Sequence, residues 1–311
     1  MSSRIKNYFK LLKEAVKEFA ADNVVKLSAS LAYYTVFSIG PLLLVVISLT
    51  GLFFEREAVT GKLYVQMQNL VGTEGANQLL SIIQNMQQQN DAAKFSIIGL
   101  VMLVFGATGV FADIQDSINY IWSIKAKPKK GWLKFLTDRL LSFSLVIGIG
   151  FLMIVTLFVN TLADALTERL QRLFSDSFVT IFHVINLGVL FLIVSCLFAI
   201  IYKVLPDAKI RWKDAFVGAF FTGVLFLIGK FVIGYYLGNS TIGSTYGAAA
   251  SIIVILSWVY YTSIILYFGA EFTKVYALDC GGGIEPYHTA VFILKQEARE
   301  MPQVKEIPPK H

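Results

Sequence analysis

The sequence predicts an all-α polytopic membrane protein with six transmembrane helices, cytoplasmic N- and C-termini, and a short helical extracytoplasmic cap between helices 1 and 2. Three observations carry this expectation. The 311 residues are 56% apolar and only 15% charged, with a mean hydropathy of +0.63, a balance foreign to water-soluble domains. Charge-free stretches run over 27–54, 95–112, 140–163, 177–202, 215–229 and 231–270, and a helical crossing needs about 20 residues. Lys and Arg fall overwhelmingly on one side of those stretches. The strands of an outer-membrane barrel alternate apolar and polar residues over about ten positions, so a barrel is excluded.

Taken in order, the spans fall near 30–54, 95–116, 140–162, 178–202, 215–237 and 248–271. The last two come from one long apolar region interrupted by Lys230 and bent at the small-residue segment Gly238 to Gly247. Orientation follows from basic residues alone, because acidic ones hardly influence topology. Twenty-one lie in the N-terminal segment, the 2–3 and 4–5 connections and the C-terminal tail, against five in the other connections. Both termini are therefore expected in the cytoplasm. The first apolar run is too long for a signal-peptide core.

Three segments lie outside the membrane domain of residues 30–274. Residues 1–29 carry Ile5, Phe9, Leu12, Val16 and Phe19 at helical spacing between lysines, which fits an amphipathic helix on the inner leaflet or one packed on the 2–3 loop. Residues 55–94 read as two short amphipathic helices capping the outer mouth. Residues 275–311, with Gly281 to Gly283 and a Pro-rich end, read as a flexible tail without chemistry. Lys125, Lys127, Lys129 and Lys130 fit a topology determinant touching anionic headgroups better than a nucleic-acid site. Two cysteines, Cys196 and Cys280, supply neither a disulfide framework nor a ligand set, and no metal or cofactor is expected.

Polar residues inside spans are functional candidates by default. One layer comprises Lys230, about 22 Å up the fifth span at 1.5 Å per residue, with His183 and Asn186 on the fourth and Asn160 on the third. It reads as a cationic pocket for an anionic group or as interhelical hydrogen bonding. A second layer forms at the inner face. The sixth span presents Ser257, Tyr260 or Tyr261, Tyr267 and Glu271; the second ends in Asp113 and Asp116; the first brings Ser30, Tyr34 and Ser38 before Gly40-Pro41, where proline should kink or break the helix. These carboxylates suit a proton or cation step in transport, or serve as interfacial anchors.

The run Ala29-Ser-Leu-Ala-Tyr-Tyr-Thr-Val-Phe-Ser-Ile-Gly-Pro41 resembles the first-helix signature of the YihY/BrkB-like inner-membrane proteins. So do Gly238-Asn-Ser-Thr-Ile-Gly-Ser-Thr-Tyr-Gly-Ala-Ala-Ala250 and Trp258-Val-Tyr-Tyr261 running on to Phe268-Gly-Ala-Glu-Phe272. The resemblance covers roughly residues 10–280 and maps the family pattern onto Tyr33, Tyr34, Pro41, Tyr246, Gly247, Gly269 and Glu271. It departs at Gly40, where the family phrase has a bulky apolar residue. The resemblance implies a six-helix layout and one of three labels: ribonuclease BN, virulence or serum-resistance factor, or transporter.

Chemistry separates these labels. Metal-dependent phosphodiester hydrolysis wants clustered His and carboxylate ligands, and three scattered histidines do not provide them, so a tRNA-processing enzyme is the least favoured reading. A translocator of an anionic, lipid-like amphiphile fits best: Lys230, His183, Asn186, Asn160, Tyr34 and Tyr246 bind, while Glu271, Asp113, Asp116, Pro41, Gly238 and Gly247 couple or gate. Neither a nucleotide-binding loop nor an inverted repeat is visible, leaving a gradient or partner as energy source. A non-transporting scaffold for envelope assembly is the alternative. Membrane lipids and further copies of the chain are the expected partners, without nucleic acid or nucleotide.

Overall fold

The computed structural model describes residues 2–50, 61, 64, 65, 68, 76, 77, 80, 81, 84, 109–127, 176–238 and 250–295. The expected third span, with Asn160, lies outside them, as do residues 95–108 of the second span, Tyr246 and Gly247. Helix α1 (Ser2–Ala21) and helix α2 (Val24–Thr50) are separated by two residues. Asn23 makes the break: its φ of 51° is left-handed, a conformation asparagine adopts more readily than most residues. Its carbonyl then accepts Lys26 N at 2.8 Å, opening the new helix.

Residues 109–121 form α3, which ends at Ser123, φ 58°, and passes into β1 (Ile124–Ala126). There follow α4 (Asp176–Val204), β2 (Ala208–Lys209), α5 (Trp212–Gly238), α6 (Ala250–Asp279), β3 (Glu285–Pro286) and β4 (Ala290–Phe292). Described positions between 61 and 84 are all helical, and Tyr64 OH donates to Asn77 Oδ1 at 2.8 Å. Among the described residues three helices are long and apolar enough to cross a membrane, with windows Leu187–Val204, Trp212–Tyr236 and Ile252–Asp279.

Three sequence expectations need correction. Helix α2 runs without interruption through Gly40 and Pro41, where a kink or break was expected, so there is no break; proline removes one donor and the helix continues around it. Helix α6 extends eight residues past the expected end at 271, because Phe272 and Val275 still find apolar partners on α1 and Lys274 finds carboxylates. The tail expected from residue 275 is ordered as far as Lys295. Beyond α6, Gly282 N donates to Asp214 Oδ2 at 2.9 Å and Gly283 takes φ 79°, reversing the chain. It then pairs antiparallel twice, β3 with β2 (Lys209 opposite Glu285) and β4 with β1 (Ala126 opposite Ala290, Ile124 opposite Phe292).

The core lies where α3, α4, α5 and α6 meet these strands, around Ile118, Ile121, Tyr202, Leu205 and Tyr267. Polar contacts stitch it. Tyr202 OH donates to Leu266 O at 2.7 Å and sits 3.0 Å from Thr222 Oγ1, and Trp122 Nε1 donates to Ala270 O at 3.1 Å. Helices α5 and α6 meet through a reciprocal pair of Gly-x-x-x-Thr segments. A Cβ added at Gly218 would stand 1.8 Å from Thr273 Oγ1, and one at Gly269 would stand 1.9 Å from Thr222 Oγ1. Each threonine hydroxyl donates back to the glycine carbonyl of its own helix, at 2.7 Å and 2.6 Å, which keeps it satisfied at a close backbone approach.

Gly234 meets nothing within 4 Å among the described residues. Gly218→Ala should therefore overpack the α5–α6 contact and cost about 1–3 kcal/mol, seen as a lower melting temperature of the purified protein in detergent. Gly234→Ala should melt like the parent or slightly higher. Equal behaviour of the two variants would mean the Gly218–Thr273 approach is not tight in solution.

Candidate functional site

Glu18 and Asp22 are four residues apart and share a face of α1 and its terminal turn; Glu271 and Lys274 are three apart and share a face of α6. Leu11 and Ala15 pack against Phe272 and Val275, and Phe19 meets Phe268 edge to face at 5.5 Å. That apolar seam presses the two charged faces together. Lys274, 8% exposed, places Nζ 2.6 Å from Glu18 Oε2, 3.4 Å from Glu271 Oε2 and 3.8 Å from Asp22 Oδ2. From the C-terminal segment Lys295 Nζ donates to Asp22 Oδ2 and to Ile121 O at 3.3 Å, and lies 4.5 Å above the Tyr120 ring. Burial draws the Lys295 ammonium below the ordinary lysine range, while its hydrogen bond to Asp22 opposes the shift.

The network is thus three carboxylates against two ammonium groups. Glu271 is fully buried, and its Oε1 has no hydrogen-bond donor among the described residues. One oxygen from each of Glu18, Asp22 and Glu271 lies within 4.8 Å of the others, a spacing that a metal ion can bridge. Lys274 Nζ stands among them, however, and supplies the positive charge a metal would bring. A divalent ion enters only if that lysine leaves.

A second polar contact joins α2, α3 and α6. Ser30 Oγ donates to Asp113 Oδ1 at 2.8 Å, and the Tyr267 hydroxyl faces Asp113 and Ser117. Tyr34 is half exposed and comes within 3.8 Å of where a Gly109 Cβ would stand. Ser30, Asp113 and Tyr267 of the expected inner layer are therefore together, whereas Glu271 turns to α1. Asp116 is exposed.

Lys230 is half-buried on α5. It lies 18 residues into α5, and Asn186 lies 18 residues before the end of α4. In a helical hairpin both stand about 27 Å from the connecting loop at 1.5 Å per residue, with His183 a turn beyond. The side chains of His183 and Asn186 lie outside the described residues; Gly238 is the last residue of α5.

Sequence reasoning missed Glu18, Asp22, Lys274 and Lys295. The available signals were Glu18-x-x-x-Asp22 within a lysine-rich helix and Glu271-x-x-Lys274. Neither says that the two helices pack together. Removing the central cation tests the network. Lys274→Met leaves buried carboxylates facing one another and should cost about 3–5 kcal/mol, read as a lower melting temperature or loss of folded protein. Adding Glu271→Leu should recover part of the loss, and no recovery would show that Lys274 and Glu271 are energetically independent.

Comparison with known proteins gives the chain its relatives. A family model described as Virulence factor BrkB matches residues 15–289. A UPF0761 membrane protein of Tolumonas auensis is 29% identical over 265 residues, 81% of this chain and 80% of its own. Another of Chromobacterium violaceum is 25% identical over 276 residues, covering 87% of this chain and 63% of that one. A third, of Xanthomonas campestris pv. campestris, is 28% identical over 268 residues, covering 82% and 58%. This chain thus spans less than two thirds of the latter two. No solved structure matches. Helices able to span, rather than barrel strands, and relatives named as membrane proteins make this a protein of the bacterial inner membrane. With a match running from the second half of α1 through β3, the chain belongs to the Virulence factor BrkB family.

Proposed function

We propose that the chain is a six-span translocator of an amphiphilic, anionic, lipid-like substrate, with both termini in the cytoplasm and no nucleotide or metal cofactor. The observation that carries this reading is Glu271: a fully buried carboxylate with an unpartnered oxygen on an apolar spanning helix. Ionisable groups so placed are costly and mark transport paths and relays. With three carboxylates and two ammonium groups, the network gains neutrality by taking up one proton or cation. Lys230, in the other half of the bundle, is the group that attracts an anionic head. The inner-face network of α1, α6 and the C-terminal segment supplies a set of ion pairs whose exchange moves α1 against α6.

A non-transporting scaffold is the second reading, favoured by the reciprocal Gly-x-x-x-Thr contact, which locks α5 on α6. Ribonuclease chemistry draws no support from the acidic triplet, since Lys274 holds its centre.

Reconstituted proteoliposomes with a pH gradient separate the readings. Lys230→Met should weaken binding of an anionic lipid by about 10- to 150-fold, the effect of one hydrogen bond to a charged group, with Lys230→Arg retaining part. Glu271→Gln should leave binding intact and stop translocation. If both variants translocate like the parent, the scaffold reading replaces this one. The topology has its own check: a reporter that needs an oxidising exterior should work when inserted in the 55–94 connection and fail in the 203–214 connection.

A further inference from the structure

Helices α1 and α6 enclose a cavity of about 490 Å³ beside the ion network, a size typical of small-ligand sites. Its apolar wall is Leu11, Val275 and Leu278, and its carboxylates are Glu14, Glu18 and Asp279. Lys274 lies at the floor, turned toward Glu18, Glu271 and Asp22. Lys10 stands at the mouth, 3.8 Å from Asp279, with its side chain 71% exposed. Among the described residues Glu14 also pairs with Lys17 at 3.9 Å, again exposed, and pairs of this kind contribute little.

The sign of charge in this hollow is opposite to that of its surroundings. The chain carries a formal net charge of +6, and Lys13, Lys17 and Lys26 line the exposed side of the same region. Inside the hollow, three carboxylates face two ammonium groups, and one of those is already shared with Asp22 and Glu271 behind it. Of the apolar wall Leu278 is 62% exposed, so the cavity opens beside an apolar surface that suits acyl chains and glycerol rather than water.

We propose that the α1–α6 cavity binds the headgroup of a phospholipid bearing a primary ammonium, drawn from the leaflet against which α1 lies. The ammonium donates to Glu14 and Asp279, the lipid phosphate takes Lys10 from Asp279, and the glycerol rests on Leu11, Val275 and Leu278. Asp279 and Lys10 each exchange one partner for another, and the exposed Glu14–Lys17 pair gives way at little cost. The site is distinct from the anionic-head pocket at Lys230. Binding here requires no transport; the orientation proposed above decides only which leaflet supplies the lipid.

The test uses the full chain in nanodiscs of phosphatidylethanolamine and phosphatidylglycerol in equal parts, or phosphatidylcholine and phosphatidylglycerol in equal parts. Lipid that stays with the protein on detergent extraction is then measured by mass spectrometry. Phosphatidylethanolamine should be retained about tenfold above its bulk ratio, the effect of one charge-assisted hydrogen bond, while phosphatidylcholine, with no N–H, should show no enrichment. The double variant Glu14→Gln, Asp279→Asn changes only exposed or half-exposed side chains and should return retention to the bulk ratio with an unchanged melting temperature in phosphatidylglycerol alone. Retention at the bulk ratio in the parent, equal retention of phosphatidylcholine, or full enrichment in the double variant overturns the proposal. Displacement of the retained lipid by millimolar glycerophosphoethanolamine overturns the lipid source in favour of a soluble amine. A Glu271→Gln variant that stops translocating yet retains phosphatidylethanolamine leaves this site standing, so the two proposals fail separately.

Discussion

The ammonium of Lys274 is the point on which this end of the molecule turns. A cation withdrawn from water at the end of an apolar helix is tolerated only if carboxylates surround it, and α6 itself supplies just one, Glu271. The other two come from α1, which explains why a helix with no span of its own is pinned along α6. Asp22 is then shared with Lys295, so the same requirement draws in the chain beyond α6. Removal of either ammonium leaves carboxylates without their complement, which ties the amphipathic helix, the last span and the C-terminal strands into one unit.

Elsewhere the helices are held by small residues and hydroxyls. Between lipid-facing helices there is little hydrophobic gain in association, so close backbone approach and internal hydrogen bonds take over. The Gly218–Thr273 and Gly269–Thr222 contacts, the Tyr202 hydroxyl on Leu266 O and the Trp122 indole on Ala270 O are such devices. They concentrate near the ion network. Toward the opposite end of α5, Gly234 meets nothing within 4 Å and Tyr235 and Tyr236 are exposed. The described molecule is thus tightly joined at one end and more open at the other, and Lys230 sits toward the open end.

The fourth, fifth and sixth spans were legible because membrane thickness imposes a length that a count of uncharged residues detects directly. The same count misjudged α6: Glu271 and Lys274 ended the uncharged run, yet they neutralise each other and the helix continues to Asp279. Pro41 removes a donor without ending α2, since the membrane penalises the alternative more than the defect. The ordered C-terminal segment was invisible for another reason. Strands of two and three residues carry no periodicity, and their partners lie more than 70 residues away, Lys209 opposite Glu285 and Ile124 opposite Phe292. The site was half legible. Ser30, Asp113 and Tyr267 were expected in one layer and meet there, whereas Glu271 faces Asp22 and Glu18, residues whose neighbours in sequence made them look like ordinary solvated charges.

The Lys295–Asp22 bond joins residues 273 positions apart, and that separation sets an order of events during synthesis. At ribosomal rates of roughly 5–20 residues per second, about 14 to 55 s pass between the making of the two partners. Helix α1 leaves the ribosome before the spans that follow it, and its acidic face waits through their insertion for its counter-ions. Closure of the ion network consequently comes late in biogenesis, after α6 has been made, and the chain beyond α6 carries that closure back to α1.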